Sequence, residues 1–257
     1  MSLKGQTVLI TGASIGIGAA IAKRLAAESA TLILFARSED KLKACAEELK
    51  NDHAGLKVFT TTVDVQDHKA LSTAVSNIVK EVGHIDVLIN NAGLAIGAPN
   101  AFPELKIQDI ITMTGTNING FMFATYAVLN EGKMRERNKG VILNVTSTTG
   151  LEVPPFPGEA VYHASKACQE AFSNVLRTEL VGTDIKVLAL RPGVVATHFH
   201  KQRYVFIPSA GSNILSVERT YSNTCVVLDS TSLNTMNSCL ALNLWLQKTS
   251  RKLQRSC

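Results

Sequence analysis

Residues 162–166, Tyr-His-Ala-Ser-Lys, hold two side chains that could together transfer a proton. On a helix, positions i and i+4 lie on one face, so Tyr162 and Lys166 point the same way. A phenol has an unperturbed pKa of about 10, and a nearby ammonium favours the phenolate and lowers that pKa. The pair therefore predicts a tyrosine general acid and base, although the same spacing also occurs on helices that have no such role.

A second candidate site is residues 11–18, Thr-Gly-Ala-Ser-Ile-Gly-Ile-Gly. This glycine loop follows a short apolar run at 7–10 and precedes a helical pattern, an arrangement that places a helix N-terminus against a pyrophosphate. Gly12 would permit the tight turn, Gly16 the approach of phosphate to the backbone, and Gly18 close packing of helix and strand. The spacing is G-x-x-x-G-x-G rather than the more frequent G-x-G-x-x-G, and glycines also serve ordinary turns.

The elements that must position these residues alternate along the chain. Apolar runs typical of buried parallel strands lie at 7–10, 31–36, 57–63, 85–89, 141–145 and 185–190. Helical patterns lie between or after them, at about 19–29, 38–50, 67–82, 107–133 and 159–181. Ser38 is the expected N-cap of the second helix. The alternation predicts an α/β fold, a doubly wound, Rossmann-like parallel sheet in a single domain.

Composition and charge exclude several classes of protein. The 257 residues, 46% of them apolar, are enough for one large core, and no apolar run approaches the ~20 residues of a membrane span. No signal-peptide pattern begins the chain, and its five cysteines have neither disulfide nor metal spacing. We therefore expect a cytoplasmic protein with reduced thiols and no metal site. The net charge of +5 comes from residues 201–257, so the body lacks the basic surface of a nucleic-acid-binding protein.

Taken together, five motifs make residues 5–207 resemble the short-chain dehydrogenase/reductase family. They are the glycine loop, Asn90-Asn91-Ala92-Gly93, Ser147, the Tyr162/Lys166 pair and Arg191-Pro192-Gly193. The resemblance implies an oxidoreductase that interconverts a secondary alcohol and its ketone by hydride transfer. It also implies a catalytic domain at 1–207, followed by an atypical segment at 208–257.

By this resemblance, four residues form the reacting centre: Asn117, Ser147, Tyr162 and Lys166. Ser147 would hold the substrate oxygen beside the Tyr162 hydroxyl. Asn117 would hold a water in a proton relay that runs through Lys166. Lys166 would both lower the pKa of Tyr162 and hydrogen-bond to the nicotinamide ribose.

The cofactor residues that the resemblance implies are spread along the chain. They are Gly12, Ser14, Gly16, Ile17, Gly18, Arg37, Asp64, Asn91, Ala92, Gly93, Tyr162, Lys166, Pro192, Gly193 and Thr197. Arg37 follows the second strand, where an acid would repel a 2′-phosphate and a guanidinium can pair with one. The expected cofactor is therefore NADP(H), unless Arg37 is only a solvated residue at a helix start. Asp64 resembles the family residue that contacts adenine, or else caps the next helix.

Residues 197–204 look like the corresponding stretch of NADP-dependent dehydrogenases of serine and other 3-hydroxy acids, which carry an arginine suited to a carboxylate. Arg203 is therefore a candidate to bind an acid substrate, or else a solvated loop arginine. The alternative substrate is an uncharged secondary-metabolite or xenobiotic carbonyl, reduced by a ketoreductase.

The chain departs from the family pattern after about residue 207. From 209 to 238 half of the residues are Ser, Thr or Asn. That is too little apolar surface to offset the entropy of ordering, so we expect an irregular tail. The resemblance implies a homo-oligomer built partly through the family's last helix and strand, and their replacement would impair it. The alternatives are an active enzyme and a cofactor-binding protein that the tail makes catalytically poor.

Overall fold

The computed structural model describes residues 3–98, 100–153 and 158–193. Its six strands form one parallel sheet in the order β3-β2-β1-β4-β5-β6. They are β1 (Thr7–Thr11), β2 (Thr31–Ala36), β3 (Val58–Thr62), β4 (Val87–Asn90), β5 (Lys139–Val145) and β6 (Asp184–Leu190). The predicted doubly wound α/β fold is confirmed. The strand order reverses between β1 and β4, where such folds bind ligands.

Helices cover both faces of the sheet. They are α1 (Gly16–Ala26), α2 (Glu39–Asp52), α3 (His68–Val82), α4 (Ile107–Thr114), α5 (Phe121–Asn130) and α6 (Ala160–Glu179). Val8 and Ile10 pack with α1 and α2, whereas Leu9 packs with α3 and α5 on the opposite face. Side chains alternate between the faces of a strand, so one apolar run supplies both cores, as expected for a buried parallel strand.

The mostly helical stretch expected at about 107–133 is divided into two helices in the structure. A π turn, Gly115–Gly120, separates α4 from α5, and α5 ends at Asn130. Single π turns inside helices are rare and occur frequently at functional sites. The turn carries Asn117, one of the residues expected at the reacting centre.

The bounds of the first helix also differ from the expectation. The first helix begins at Gly16 rather than 19 and ends at Ala26, before Ser29, whose φ of 57° is not helical. Ser38 stands at the N-cap of α2, but its side chain makes no capping hydrogen bond. The expected boundary at residue 207 and the tail lie outside the described residues. In the part of the chain that the structure describes, no helix is long and apolar enough to span a membrane.

Candidate active site

The glycine loop folds tightly against the segment that follows β4. Gly12 has a φ of 65°, and a Cβ built on it would lie 2.9 Å from the Cα of Ala92. A Cβ on Gly18 would collide with the carbonyl of Gly12. Asn91 Nδ2 donates to the carbonyl oxygens of Thr11, at 3.0 Å, and Gly12, at 3.1 Å. Only glycine allows this approach, so two motifs far apart in sequence form one surface.

Thr11 secures the same junction and was not singled out by the sequence. Its Oγ1 accepts hydrogen bonds from the backbone N–H groups of Asn91 and Ala92, each at 3.1 Å. The hydroxyl also donates to the carbonyl of Ile89, at 3.4 Å. A threonine that ends a buried strand directly before a glycine loop is the signal that could have identified it.

The start of α1 is suited to an anion. Its N-cap, Ile15, gives no side-chain hydrogen bond, and its first turn contains no acidic residue. Ser14, Gly16 and Ile17 are partly exposed there. The first amide groups of a helix lack intrahelical partners and carry a partial positive charge. These residues therefore fit the pyrophosphate site predicted from the glycine loop.

Arg37 and Asp64 face each other beyond the ends of β2 and β3. Arg37 Nη1 lies 3.8 Å from Asp64 Oδ2, and both side chains are exposed. Asp64 Oδ1 accepts a hydrogen bond from the backbone N–H of Gln66, at 3.0 Å. The helix cap is Asp67, whose carboxylate accepts two backbone hydrogen bonds at the start of α3, so the alternative role of Asp64 as a cap is wrong. An exposed pair is weak and leaves Arg37 available to a stronger anion.

Ser147 and Tyr162 meet at the carboxyl end of β5. Both are buried, and a side-chain hydrogen bond joins them. Ser147 Oγ also accepts from the backbone N–H of Thr149, at 3.2 Å, and from its hydroxyl, at 2.9 Å. Lys166 Nζ lies 5.7 Å from the centroid of the Tyr162 ring. Three of the four expected catalytic side chains are therefore adjacent.

The sequence predicts a lowered pKa for Tyr162, but in this structure the pKa is raised. Burial raises the pKa of Tyr162 to about 12, and the hydrogen bond with Ser147 opposes the increase. Lys166 Nζ instead donates to the carbonyl of Val145 and to Gln169 Oε1, both at 3.1 Å. Burial lowers the pKa of Lys166 itself to about 8, although the charge of Glu170 raises it. At pH 7 Tyr162 is therefore a neutral phenol, the form that can donate a proton.

Asn117 joins the π turn to α6 and to the strand-end loop, which is the loop at residues 91–96 after β4. Its Oδ1 accepts from the backbone N–H of Leu94, at 2.9 Å, and its Nδ2 donates to the Leu94 carbonyl, at 2.8 Å, and to Ser165 Oγ, at 3.0 Å. The Asn117 backbone carbonyl accepts from Gln169 Nε2, at 2.7 Å. A Cβ built on Gly93 would lie 3.4 Å from Asn117 Oδ1, so the N-A-G segment packs directly on this asparagine.

Residues 191–193 complete the arrangement. The Pro192 carbonyl accepts a hydrogen bond from the backbone N–H of Thr148, at 3.2 Å, which holds this segment beside Ser147. The structure thus brings the expected catalytic and glycine-loop residues together along the carboxyl ends of β1, β4, β5 and β6, whereas Arg37 and Asp64 lie beyond the ends of β2 and β3. Thr197 and Arg203 lie outside the described residues.

Comparison with known proteins identifies the family of this chain. The family model described as short chain dehydrogenase matches residues 6–205. The chain belongs to the short-chain dehydrogenase family. One relative, an NADP-dependent 3-hydroxy acid dehydrogenase of Schizosaccharomyces pombe, is 39% identical over 203 residues, which are 79% of this chain and 76% of the relative.

Two solved structures are similar to this chain in fold and sequence. The closed form of serine dehydrogenase complexed with NADP+ has a TM-score of 0.72 and 34% identity, and the match covers 86% of this chain and 84% of the other. A variant of the actinorhodin polyketide ketoreductase with NADPH has a TM-score of 0.79 and 31% identity over 91% of this chain and 89% of the other.

A charged network between exposed Arg191 and buried Glu170 lies next to the site of this short-chain dehydrogenase. Arg191 donates from Nε to Glu170 Oε1, at 2.8 Å, and from Nη2 to Oε2, at 2.6 Å. Thr146 Oγ1 donates to the same carboxylate, at 2.6 Å. Burial would raise the pKa of Glu170, but the hydrogen bonds from Arg191 and Thr146 hold it below its ordinary value. The network ties α6, which carries Tyr162, to the ends of β5 and β6.

We expect Arg191→Met to lower the free energy of unfolding by about 2–3 kcal/mol, less than for a fully buried pair because Arg191 is partly exposed. The substitution leaves the Glu170 carboxylate buried beside an apolar side chain. Urea denaturation at pH 7 measures the loss, and the double variant Arg191→Met/Glu170→Gln should recover part of it. Lys43→Met, which breaks an exposed pair with Glu39, is the matched control and should change little.

The pH dependence of stability tests the same network. The pKa of Glu170 is lower in the folded protein than in the unfolded chain. The ionised carboxylate therefore contributes fully to stability at a pH above the ordinary carboxyl pKa, and this contribution is lost as the pH falls through the folded pKa. Arg191→Met should therefore destabilise less at pH 3 than at pH 7. An equal loss at both values would contradict a charged Glu170.

Chemically, the described site offers a proton donor, a hydroxyl beside it and an anion-binding helix terminus. Within residues 3–98, 100–153 and 158–193, no three His, Cys, Asp or Glu side chains are grouped as metal ligands.

Sequence reasoning did not assign a role to Gln169 or Glu170. The sequence feature that could have identified these two residues is their i+3 and i+4 spacing from Lys166, which places them near Lys166 on α6.

Proposed function

We propose that this short-chain dehydrogenase is an NADP(H)-dependent oxidoreductase that interconverts a 3-hydroxy acid and its ketone. The observation that carries the proposal is the hydrogen-bonded Ser147–Tyr162 pair beside Lys166, at the sheet edge where the glycine loop also lies. The relatives named for NADP-dependent 3-hydroxy acid and serine dehydrogenases support both the cofactor and the substrate class.

The described residues fit a dinucleotide. The close contact at Gly12 and Gly18 leaves no room for a Cβ, and the uncapped start of α1 suits a pyrophosphate. Arg37 would pair with the 2′-phosphate, and Asp64 would lie beside the adenine. The nicotinamide half would be held by Asn91, Ala92, Gly93, Pro192, Gly193 and Thr197.

In the reductive direction, Tyr162 donates its proton to the carbonyl oxygen of the substrate, and Ser147 holds that oxygen by a hydrogen bond. The nicotinamide supplies the hydride to the carbonyl carbon when the cofactor is bound. Lys166, with a charged ammonium, would bind the ribose and favour the phenolate that remains after proton transfer. In the oxidative direction the Tyr162 phenolate would accept the proton of the substrate alcohol.

A second candidate is a ketoreductase for an uncharged carbonyl. The similarity to the polyketide ketoreductase extends over more of this chain, 91%, than that to serine dehydrogenase, 86%, and has the higher TM-score. The difference between the two candidates rests on Arg203, which would bind a substrate carboxylate by a bidentate contact.

Matched substrate pairs distinguish the candidates. Full-length protein and NADPH are assayed with 3-oxo acids and with their methyl esters, which keep the reacting carbonyl and remove the charge. We expect kcat/KM to favour the acids at least about tenfold, the value of one charged hydrogen bond, and Arg203→Met to abolish that preference. A preference for the esters would support the ketoreductase. NADPH binding without turnover of any carbonyl would support the cofactor-binding protein.

Cofactor preference gives an independent prediction. Arg37→Ala should weaken NADPH binding by about one to two decades and leave NADH binding nearly unchanged, because only NADPH has the phosphate that the guanidinium contacts. Fluorescence titration of both cofactors measures the two affinities. Lys41→Ala removes an equal charge from the exposed face of α2 and is the control. Equal affinity of the wild type for NADPH and NADH would contradict the proposed role of Arg37.

A further inference from the structure

Gln169 connects two residues of the reacting centre. It lies on α6, three positions after Lys166, and is only 1% exposed. Its Oε1 accepts from Lys166 Nζ, at 3.1 Å, and its Nε2 donates to the backbone carbonyl of Asn117, at 2.7 Å. Both ends of one buried amide therefore bind residues that the family resemblance places at the reacting centre.

We propose that Gln169 is a positioning residue that fixes the Lys166 ammonium against the π turn. An ammonium has three N–H groups, of which Val145 and Gln169 bind two among the described residues. The third is left for the ribose. This inference rests on the proposed function for the role of Lys166, but the link itself does not depend on any substrate.

The amide is a fixed link and not a proton carrier, since an amide N–H does not ionise near neutral pH. The family resemblance implies a water between the asparagine and the lysine, and here a side chain of the protein joins the same two residues. Asn117 in turn is held by Leu94 and Ser165. The direction of the ammonium is therefore set by three segments that pack together: the strand-end loop, the π turn and α6.

The protonation of Lys166 reports the strength of this link. An acceptor that binds the charged form favours that form, so Gln169 stabilises the ammonium against the cost of burial. The titratable and charged groups that face Lys166 among the described residues are Tyr162 and Glu170 from α6 and, behind Glu170, Arg191 from the end of β6. The π turn and this end of β5 present only uncharged groups.

The experiment compares Gln169→Met and Gln169→Glu, which both keep the length of the side chain. Cofactor-free protein labelled at the lysine Cε is titrated by NMR, and the Lys166 signal is assigned by its loss in Lys166→Met. We expect the midpoint of the Lys166 titration (the Lys166 midpoint) to fall by about one pH unit in Gln169→Met, which lacks the acceptor. In Gln169→Glu this midpoint should rise by about one unit. Opposite shifts are not expected from a residue that only fills space.

A measurement on the wild type keeps the inference testable if either variant folds poorly. The side-chain amide signals of Gln169 should shift with the same midpoint as Lys166. Ser173→Ala removes a hydroxyl that donates to the Gln169 backbone carbonyl, at 2.6 Å, and should lower stability without moving that midpoint. Gln169 amide signals that do not follow Lys166, or midpoints within about 0.2 units of the wild type in both variants, would overturn the proposal.

The kinetic readout separates this inference from the proposed function. In Gln169→Met the alkaline limb of the pH profile for NADPH-dependent turnover should move down with the Lys166 midpoint, and kcat should fall more than KM rises. If the wild type reduces no carbonyl, the proposed function fails while the NMR result still decides the link. If the wild type is active and the NMR midpoints do not move, only the role of Gln169 fails.

Discussion

Tyr162→Phe should reduce the turnover of the proposed NADPH-dependent reduction by about 10²–10⁴-fold, the usual contribution of a general acid. The change removes one hydroxyl from a buried ring that otherwise keeps its packing with Leu94, Met113 and Val161. NADPH affinity should stay within about twofold, because Lys166 and the glycine loop are unchanged. Stopped-flow measurement of NADPH oxidation, together with a fluorescence titration, gives both quantities.

The control is Tyr126→Phe, the same substitution at an exposed position on α5, which should leave turnover unchanged. If Tyr162→Phe retains more than about a tenth of the wild-type turnover, another group donates the proton. A proportional loss of NADPH affinity in the variant would instead point to a structural role for the hydroxyl.

Lys166→Met should have a different effect, because it lowers both turnover and cofactor affinity. The loss of a charged hydrogen bond to the ribose weakens NADPH binding by about one to two decades, and turnover falls at least about 10²-fold when the charge beside Tyr162 is lost. The same two assays apply, with thermal denaturation to confirm folding. Lys80→Met, on the exposed side of α3, is the matched control.

The lowered pKa of Lys166 predicts that the affinity for NADPH depends on pH. Because the folded pKa is lowered to about 8, the ammonium is present below that pH and is lost above it, so wild-type affinity for NADPH should decline from pH 7 to pH 9. In Lys166→Met this decline should be absent. A wild-type affinity that is constant over this range would contradict a charged contact from Lys166.

The sheet and much of the site could be predicted from the sequence because their signals are local. Continuous apolar runs such as residues 31–36 match β2 residue for residue. The glycine loop and the Tyr162/Lys166 spacing mark segments whose backbone or helix face is fixed by neighbouring residues. Parallel strands then bring these segments to one edge without any further information.

The rest depends on contacts between distant segments. The π turn at Gly115–Gly120 has no periodicity that distinguishes it from the flanking helices, so the helical pattern at 107–133 did not reveal where α4 ends and α5 begins. Lys166 was expected to act on the Tyr162 oxygen, but its hydrogen bonds go to Val145 and Gln169, which only the packing of α6 on β5 reveals. The pKa of Tyr162 follows from burial, a property of the assembled fold.

The position of β1 in the middle of the sheet has a consequence for how the protein folds. Its neighbours are β2, which follows within one crossover, and β4, whose pairing must close a loop of nearly 80 residues. Contacts between such distant residues form late and slowly, because the chain loses conformational entropy on closing the loop before the contacts stabilise it. The Thr11–Asn91 junction that shapes the glycine loop should therefore be among the last features to appear during refolding. Recovery of cofactor binding would then lag behind the recovery of helical structure.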